Sequence, residues 1–306
     1  MKASGLTKKG FSSFHDKVAE VQECIMQLHP FAGETFVIKC GGSMMDDENF
    51  LTSFASDIAI LNSLGISTVI VHGAGKQLEK MLAKFKLKNE FFDGYRVTDA
   101  ETMEVVEMVM SGQINQNFVK HLIQKKVNAI GLSCKDGNLV TVKKIRRTSR
   151  DEGSNIERII DLGFVGEPET VNCEFLEQII EDAMIVPVIS PVAFDKNYHT
   201  YSVNADVLAC AIGKAIKAQK VIIISENNNI HTKNGVLSGS ISLPELEKVL
   251  YNSIIPPELV VRIKSCVDAM RDGVENVHII DAVSHTLMAE LTCGVTTGTM
   301  IYNDVI

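Results

Sequence analysis

Two apolar runs in this sequence end in glycines beside a basic or imidazole side chain: Phe36-Val-Ile-Lys39-Cys-Gly41-Gly42-Ser43 and Thr68-Val-Ile-Val-His72-Gly73-Ala74-Gly75-Lys76. After a buried strand, such glycines let backbone N–H groups approach a phosphate next to a helix N-terminus. They also serve tight turns for conformational reasons alone. Neither cluster fits GxxxxGK[ST] or a correctly placed GxGxxG, so neither a P-loop nor a dinucleotide site is expected. Lys39 closes an otherwise apolar run, where its ammonium either snorkels to solvent or points into a crevice at an anion.

Two further segments combine charge with a helix start. In Arg96-Val-Thr98-Asp99-Ala-Glu101, Thr98 and Glu101 have the spacing of a capping box. Arg96 is then left over, either solvated or suited to bidentate capture of a carboxylate. In Tyr201-Ser202-Val-Asn204-Ala205-Asp206, Asn204 can cap a helix and Asp206 can interact with its dipole. The alternative role for Asp206 is a carboxylate that holds lysines near a reacting phosphoryl group.

The elements that must position these groups alternate along the whole chain. Runs at 35–39, 68–71, 128–132, 186–189, 221–225 and 277–280 read as strands buried on both faces. Segments 48–63, 76–86, 99–110, 113–126, 173–183, 204–217, 258–271 and 284–292 read as helices. The alternation predicts an α/β fold, a mainly parallel sheet with helices on both faces. Antiparallel inserts around 91–97 and 138–165 carry turn chemistry at Asp136-Gly137 and Asp161-Leu-Gly163 and are expected to form a lid. Ahead of the first strand, Phe14, Val18, Val21, Ile25 and Leu28 fall at helical spacing, an amphipathic stripe that needs a partner. The expected division is an N-terminal extension over 1–30, one lobe over 31–217 and a second over 218–306, the two lobes sharing one sheet.

Composition limits the function further. The chain has 30 Lys and Arg against 38 Asp and Glu, a formal charge of −8, which argues against a nucleic-acid or anionic-membrane binder. Any anionic ligand must therefore be held locally. No apolar stretch reaches the roughly 18 residues of a membrane span, and no secretory signal is evident. The seven cysteines never approach CxxC spacing, and reduced thiols in a cytoplasmic protein are expected.

Taken in order, the motifs resemble the amino acid kinase family. The resemblance runs from about residue 31 to 302 through Lys39-Cys-Gly41-Gly42, His72-Gly73-Ala74-Gly75, Gly94-Tyr-Arg96-Val-Thr98-Asp99, Lys135-Asp136-Gly137-Asn138, Asp161-Leu-Gly163, Asn204-Ala205-Asp206, His278-Ile-Ile-Asp281 and Gly298-Thr299. It implies a three-layer sandwich around a mainly parallel eight-stranded central sheet. It also implies transfer of the γ-phosphoryl group of ATP, with Mg2+, to a carboxylate, here that of N-acetyl-L-glutamate or a similar small molecule. By that resemblance Lys39, Asp206 and Arg262 would be catalytic. Gly73, Ala74, Gly75, Arg96, Ser202 and Asn204 would bind the acceptor, and Gly41, Gly42, Ser225, Glu226 and Arg262 the nucleotide. A homodimer is implied, extended to a hexamer where the N-terminal helix pairs dimers. Arginine-inhibited members suggest an effector site at His285, Glu290 and Gly298.

The departures cluster at the chemistry. Ser202 stands where the family has an asparagine and Arg262 where it has a lysine, with Lys264 two residues on and facing elsewhere. Pro256-Pro257-Glu258 replaces a glycine-rich turn, Ser225-Glu226-Asn227-Asn228-Asn229 lacks the family's glycine, and Thr296 replaces another. Three readings follow: a kinase of N-acetyl-L-glutamate, a kinase for another N-acylated acidic amino acid, or a catalytically weak member of the fold that senses a small molecule or regulates a partner.

Overall fold

The computed structural model describes residues 8–150, 157–182, 184–226, 230–232, 235–237, 239–252, 255–292 and 298–303. Eight strands make one sheet: β1 Thr35–Cys40, β2 Ser67–His72, β3 Ala129–Ser133, β4 Val186–Ser190, β5 Lys220–Ser225, β6 Gly239–Ser242, β7 Asn276–Asp281 and β8 Gly298–Tyr302. Their spatial order is β6-β8-β7-β5-β1-β2-β4-β3, with only the β7–β8 pair antiparallel. The expected second lobe therefore continues the first lobe's sheet through β5 and β1. The chain leaves β1 towards β2 on one side and returns to its other side with β5, so a topological switch point lies at the carboxyl end of β1. Ligands of open α/β sheets sit at such points.

The face of each strand residue follows from the period of two. On β1, Phe36, Ile38 and Cys40 pack into one apolar cluster, with Phe50, Phe54 and Phe118. Val37 packs into the other, with Leu208, Ile212 and Ile263. Lys39 shares the face of Val37, which is covered by helices α7 Ala205–Ala215 and α9 Pro257–Arg271. On β2 the alternation places Val69 and Val71 towards α7 and α9, and His72 on the opposite face.

Several elements differ from the sequence expectation. The segments expected as two helices form one run, Ala100–Glu107, a π-helical Met108–Ile114 and Asn115–Gln124. The widened turn brings both Ser111 and Asn115 onto β4, with Ser111 Oγ 2.8 Å from Ser190 Oγ and Asn115 Nδ2 donating to Val188 O at 2.8 Å. The first of these helices is capped by Asp99, whose Oδ1 accepts from Thr102 N at 2.8 Å. Thr98 is buried instead, its Oγ1 donating to Arg96 O at 3.1 Å, which corrects the capping box.

The 138–165 insert is a long hairpin, Val140–Arg150 with Glu157–Val171, which closes into a small barrel with Val192–Asp195 and Thr200–Val203. Neither short strand is expected from the sequence, which suggests only a polar turn ahead of the Asn204 helix. Strands β6 and β8 and the helix Leu243–Asn252 were likewise not expected. They sit at the sheet edge, where short and mixed runs suffice.

Candidate active site

Helix α7 begins at the switch point because Asn204 caps it, Oδ1 accepting from Asp206 N at 2.9 Å and Val207 N at 3.3 Å. That start places Asp206 in the first turn, opposite the carboxyl end of β1. Lys39 Nζ lies 2.7 Å from Asp206 Oδ1, and Arg262 Nε on α9 donates to Oδ2 at 2.8 Å. All three residues are buried, and Arg262 Nη2 also donates to Ser225 Oγ at 3.2 Å at the end of β5. Burial alone would raise the Asp206 pKa, but Lys39 and then Arg262 outweigh it and hold the carboxyl at about 2. A single anion thus pins two cations at the crevice. Lys39 does not snorkel, because its face of β1 is covered by α7 and α9.

Beside this cluster the two glycine loops are pressed together. A Cβ on Gly42 would lie 1.9 Å from Gly75 N, and one on Gly75, at φ +60°, would lie 1.9 Å from Gly42 O. Neither contact admits a side chain, so both glycines are required by close backbone approach. Gly41 N donates to Ile224 O and Gly73 N to Cys40 O, both at 2.9 Å, which ties the loops to β5 and β1. Among the described residues no partner is found for the N–H groups of Gly42, Ala74 and Gly75. Ala74 and Gly75 open helix α3 Gly75–Lys84, where N–H groups have no intrahelical acceptor.

Gly73, Ala74, Arg96, Ser202 and Asn204 line one pocket of about 130 Å³, whose wall also includes Ala205, next to Asp206. Five of the six expected acceptor residues are therefore brought together, with Gly75 immediately behind them. Arg96 is stacked over Phe91 at 4.5 Å, and its buried Nη1 has no hydrogen-bond partner among the described residues. Burial pushes its pKa down, since nothing nearby fully compensates the charge. Ser202 sits in the barrel, in register with Val165 and Val192, and turns its short hydroxyl side chain to the pocket. The 91–97 insert lines the pocket with Phe91, Gly94 and Tyr95 and lies against the start of α9, where a Cβ on Gly94 would meet the Glu258 backbone at 2.9 Å.

The nucleotide-side residues are less assembled. Ser225 is bound to Arg262, Glu226 is exposed, and Asn227, Asn228 and Asn229 lie outside the described residues, as does Thr296. Helix α9 starts at Pro256 and Pro257 without a side-chain cap. Lys264 is exposed and lines a different cleft with Arg147 and Asp268.

The expected effector residues have partners within the chain. Glu290, read from sequence as a guanidinium ligand or a solvated helix residue, is buried 2.7 Å from His278 Nδ1. Glu290 is therefore not a solvated surface group. His285 Nδ1 lies 2.7 Å from the buried Asp57. Gly298 is opposite Ile280 in the β7–β8 ladder, where a Cβ would meet Ile279 O at 1.9 Å.

The α/β sandwich thus has at its switch point a crevice with two cations on one carboxylate, adjoined by a pocket where, among the described residues, backbone donors and Arg96 Nη1 have no partner. The amino acid kinase family model matches residues 34–281, and the chain belongs to that family. It is 39% identical to the acetylglutamate kinase of Ehrlichia canis over 97% of this chain and 92% of that one. It is 38% identical to the acetylglutamate kinase of Afipia carboxidovorans over 94% of this chain and 97% of that one. Among solved structures, N-acetylglutamate synthase from Neisseria gonorrhoeae, complexed with coenzyme A and N-acetyl-glutamate, superposes with a TM-score of 0.79 at 23% identity. That match covers 94% of this chain but only 64% of the synthase chain. Carbamate kinase from Giardia lamblia bound to AMP-PNP gives a TM-score of 0.60 at 13% identity, covering 89% of this chain and 99% of that one. Likenesses at these identities concern the fold alone.

Proposed function

We propose that the chain catalyses ATP-dependent phosphorylation of the side-chain carboxylate of N-acetyl-L-glutamate, forming an acyl phosphate in arginine biosynthesis. The observation that carries this reading is the convergence of Lys39, Asp206 and Arg262 beside a pocket whose buried Arg96 Nη1 has no partner among the described residues. A buried guanidinium nitrogen without a partner is costly unless an anion completes it. The α-carboxylate of the acceptor meets that need, and its N-acetyl group meets Ser202 and Asn204 in the same pocket.

Phosphoryl transfer asks the protein for positioning and charge stabilisation rather than covalent chemistry. The acceptor carboxylate arrives ionised, so no general base is required. In this reading Lys39 and Arg262 neutralise charge on the transferring group, while Asp206 fixes the two cations. Gly42, Ala74 and Gly75 present N–H groups to phosphoryl and carboxylate oxygens. Gly41 and Gly42 pass beneath the phosphates, and Ser225 and Glu226 border the nucleotide. The donor set fits a metal that arrives with its substrate: no group of three His, Cys, Asp or Glu among the described residues could hold an ion. Mg2+ would be held chiefly by the nucleotide phosphates, where it supplies charge neutralisation.

Lobes over 31–217 and 218–306 would hold acceptor and nucleotide respectively. The assembly we propose is a homodimer. Exposed Val21, Ile25 and Met26 on helix Lys8–Leu28, whose end packs near helix Thr286–Thr292, support pairing into a hexamer. The cysteine spacing supports a reducing, cytoplasmic setting. No helix among the described residues is long and apolar enough to cross a membrane.

The test is a product assay that traps acyl phosphate with hydroxylamine, run over N-acylated acidic amino acids with MgATP. The reading stands if N-acetyl-L-glutamate gives the most product. Turnover of another acceptor alone would reassign the substrate, and no product from any acceptor would leave a binding protein.

A further inference from the structure

We propose that His72 is a positioning residue for the transfer reaction: its ring holds the Gly73 carbonyl and thereby aims and polarises the Ala74 N–H at the reacting oxygens. The inference rests on the kinase reading of the glycine loops, because it concerns how one of their donors is held.

His72 closes β2 on the face away from α7 and α9, and it is fully buried. Its Nδ1 lies 3.1 Å from Gly73 O, and its Nε2 lies 3.1 Å from Asn115 Nδ2. Burial pushes its pKa down to about 4, so near neutral pH the ring carries one proton. The partners decide where that proton sits. A carbonyl oxygen can only accept, so Nδ1 carries the hydrogen, and the Nε2 lone pair accepts from Asn115. The second Asn115 N–H reaches Val188 O at 2.8 Å, which fixes the amide orientation, since a flipped amide would set two oxygens together. The face of Phe118 closes the chamber, its ring stacked on that of His72 at 6.5 Å.

The consequence comes from peptide geometry. The Gly73–Ala74 bond is trans, so its C=O and N–H point in opposite directions across one rigid plane. With the carbonyl drawn to His72 on the buried side, the Ala74 N–H must face the pocket that Ala74 lines. A hydrogen bond accepted by a carbonyl also strengthens the donor of the same peptide unit. Glycine loops are otherwise free to rotate such a plane. His72 and Asn115 remove that freedom without any charge near the transferring phosphoryl group.

Three measurements on the full chain test this. First, 15N-histidine spectra of the wild type report the tautomer, His72 being the signal lost in either variant below. The Nδ1–H form is expected, and an Nε2–H form would overturn the proposal without need of turnover. Second, Gly-Ala occurs once in the sequence, at Gly73-Ala74, so glycine 13C′ and alanine 15N labels give a single correlated peak. His72→Leu should move that peak to higher field in the carbonyl dimension, and His72→Asn, whose amide nitrogen replaces Nδ1, should keep it. An unmoved peak in folded His72→Leu overturns the proposal. Third, kcat should fall on the order of 10²-fold in His72→Leu, with a smaller change in KM for the acceptor, and recover to within about 10-fold in His72→Asn. Equal losses in both variants would make the residue a packing element only. If the wild type itself makes no acyl phosphate, the function reading fails alone and the two spectroscopic measurements still decide the role of His72.

Discussion

The two sides of the crevice are built by different physics. On the acceptor side, backbone does the work: Gly42 and Gly75 approach within distances that exclude any side chain, and Ala74 offers its N–H from a fixed peptide plane. On the charge side, position depends on long side chains, Lys39 and Arg262, held by a single buried carboxylate. A backbone cradle is specified by what is missing from the sequence and cannot be tuned in small steps. A charge network is specified by what is present, and substitutes such as arginine for lysine can occupy it. The departures from the family pattern fall mainly on the second side, at Arg262 and at Glu226, with Ser202 the exception across the pocket.

That contrast leads to graded expectations. Lys39→Ala should lower turnover on the order of 10²-fold or more while the fold survives. Gly42→Ala should be comparably severe for a different reason, since its methyl would force the two loops apart, and it should also lower Tm. Steady-state kinetics beside thermal melts separate the cases; a folded Lys39→Ala with unchanged turnover would remove that residue from the chemistry.

For Arg262, replacement by alanine should remove most activity, on the order of 10²-fold, whereas Arg262→Lys should retain or raise it. Lysine can reach Asp206 but cannot bond Asp206 and Ser225 together through a fork. Equal activity in all three forms would show that the charge side tolerates loss, contrary to the comparison drawn above. Arg96→Ala should act on binding instead, raising the acceptor KM about 10-fold or more with a smaller change in kcat. A rise confined to the KM for ATP would assign Arg96 to the other pocket.

The charge network also predicts a pH dependence. Asp206 is depressed from 3.8 to about 2 in the folded chain, so it adds stability that is complete above pH 4 and disappears as the pH falls through 2. The contribution is about 2 kcal/mol. Urea unfolding between pH 5 and 2 should lose that increment in the wild type and not in Asp206→Asn; parallel curves would contradict the pinned carboxylate. The smallest effect is expected for Ser202→Asn, a few-fold gain in kcat/KM for N-acetyl-L-glutamate from a longer donor and acceptor in the pocket. No change would mean that Ser202 is a barrel residue only.

The sequence by itself determined the strands with continuous apolar runs, the helix start at Asn204, and the glycine loops, because burial on both faces, capping and positive φ each demand particular residue types locally. It did not determine the small barrel, the π-helical turn or the cap at Asp99. Thr200–Val203 becomes a strand because Val192–Asp195 and the long hairpin flank it as partners, and Thr98 loses the cap to a neighbour because the fold buries its hydroxyl. At the site, Lys39 and Asp206 were legible as charged groups with two possible fates each. What chose between those fates was the packing of α7 and α9 over one face of β1, which closes the route to solvent and leaves the buried ammonium of Lys39 to share the buried carboxylate of Asp206 with Arg262. The roles of Asn115 and His72 had no sequence signal beyond polarity, since a hydrogen bond from a helix 43 residues away along the chain exists only once the sheet has brought them together.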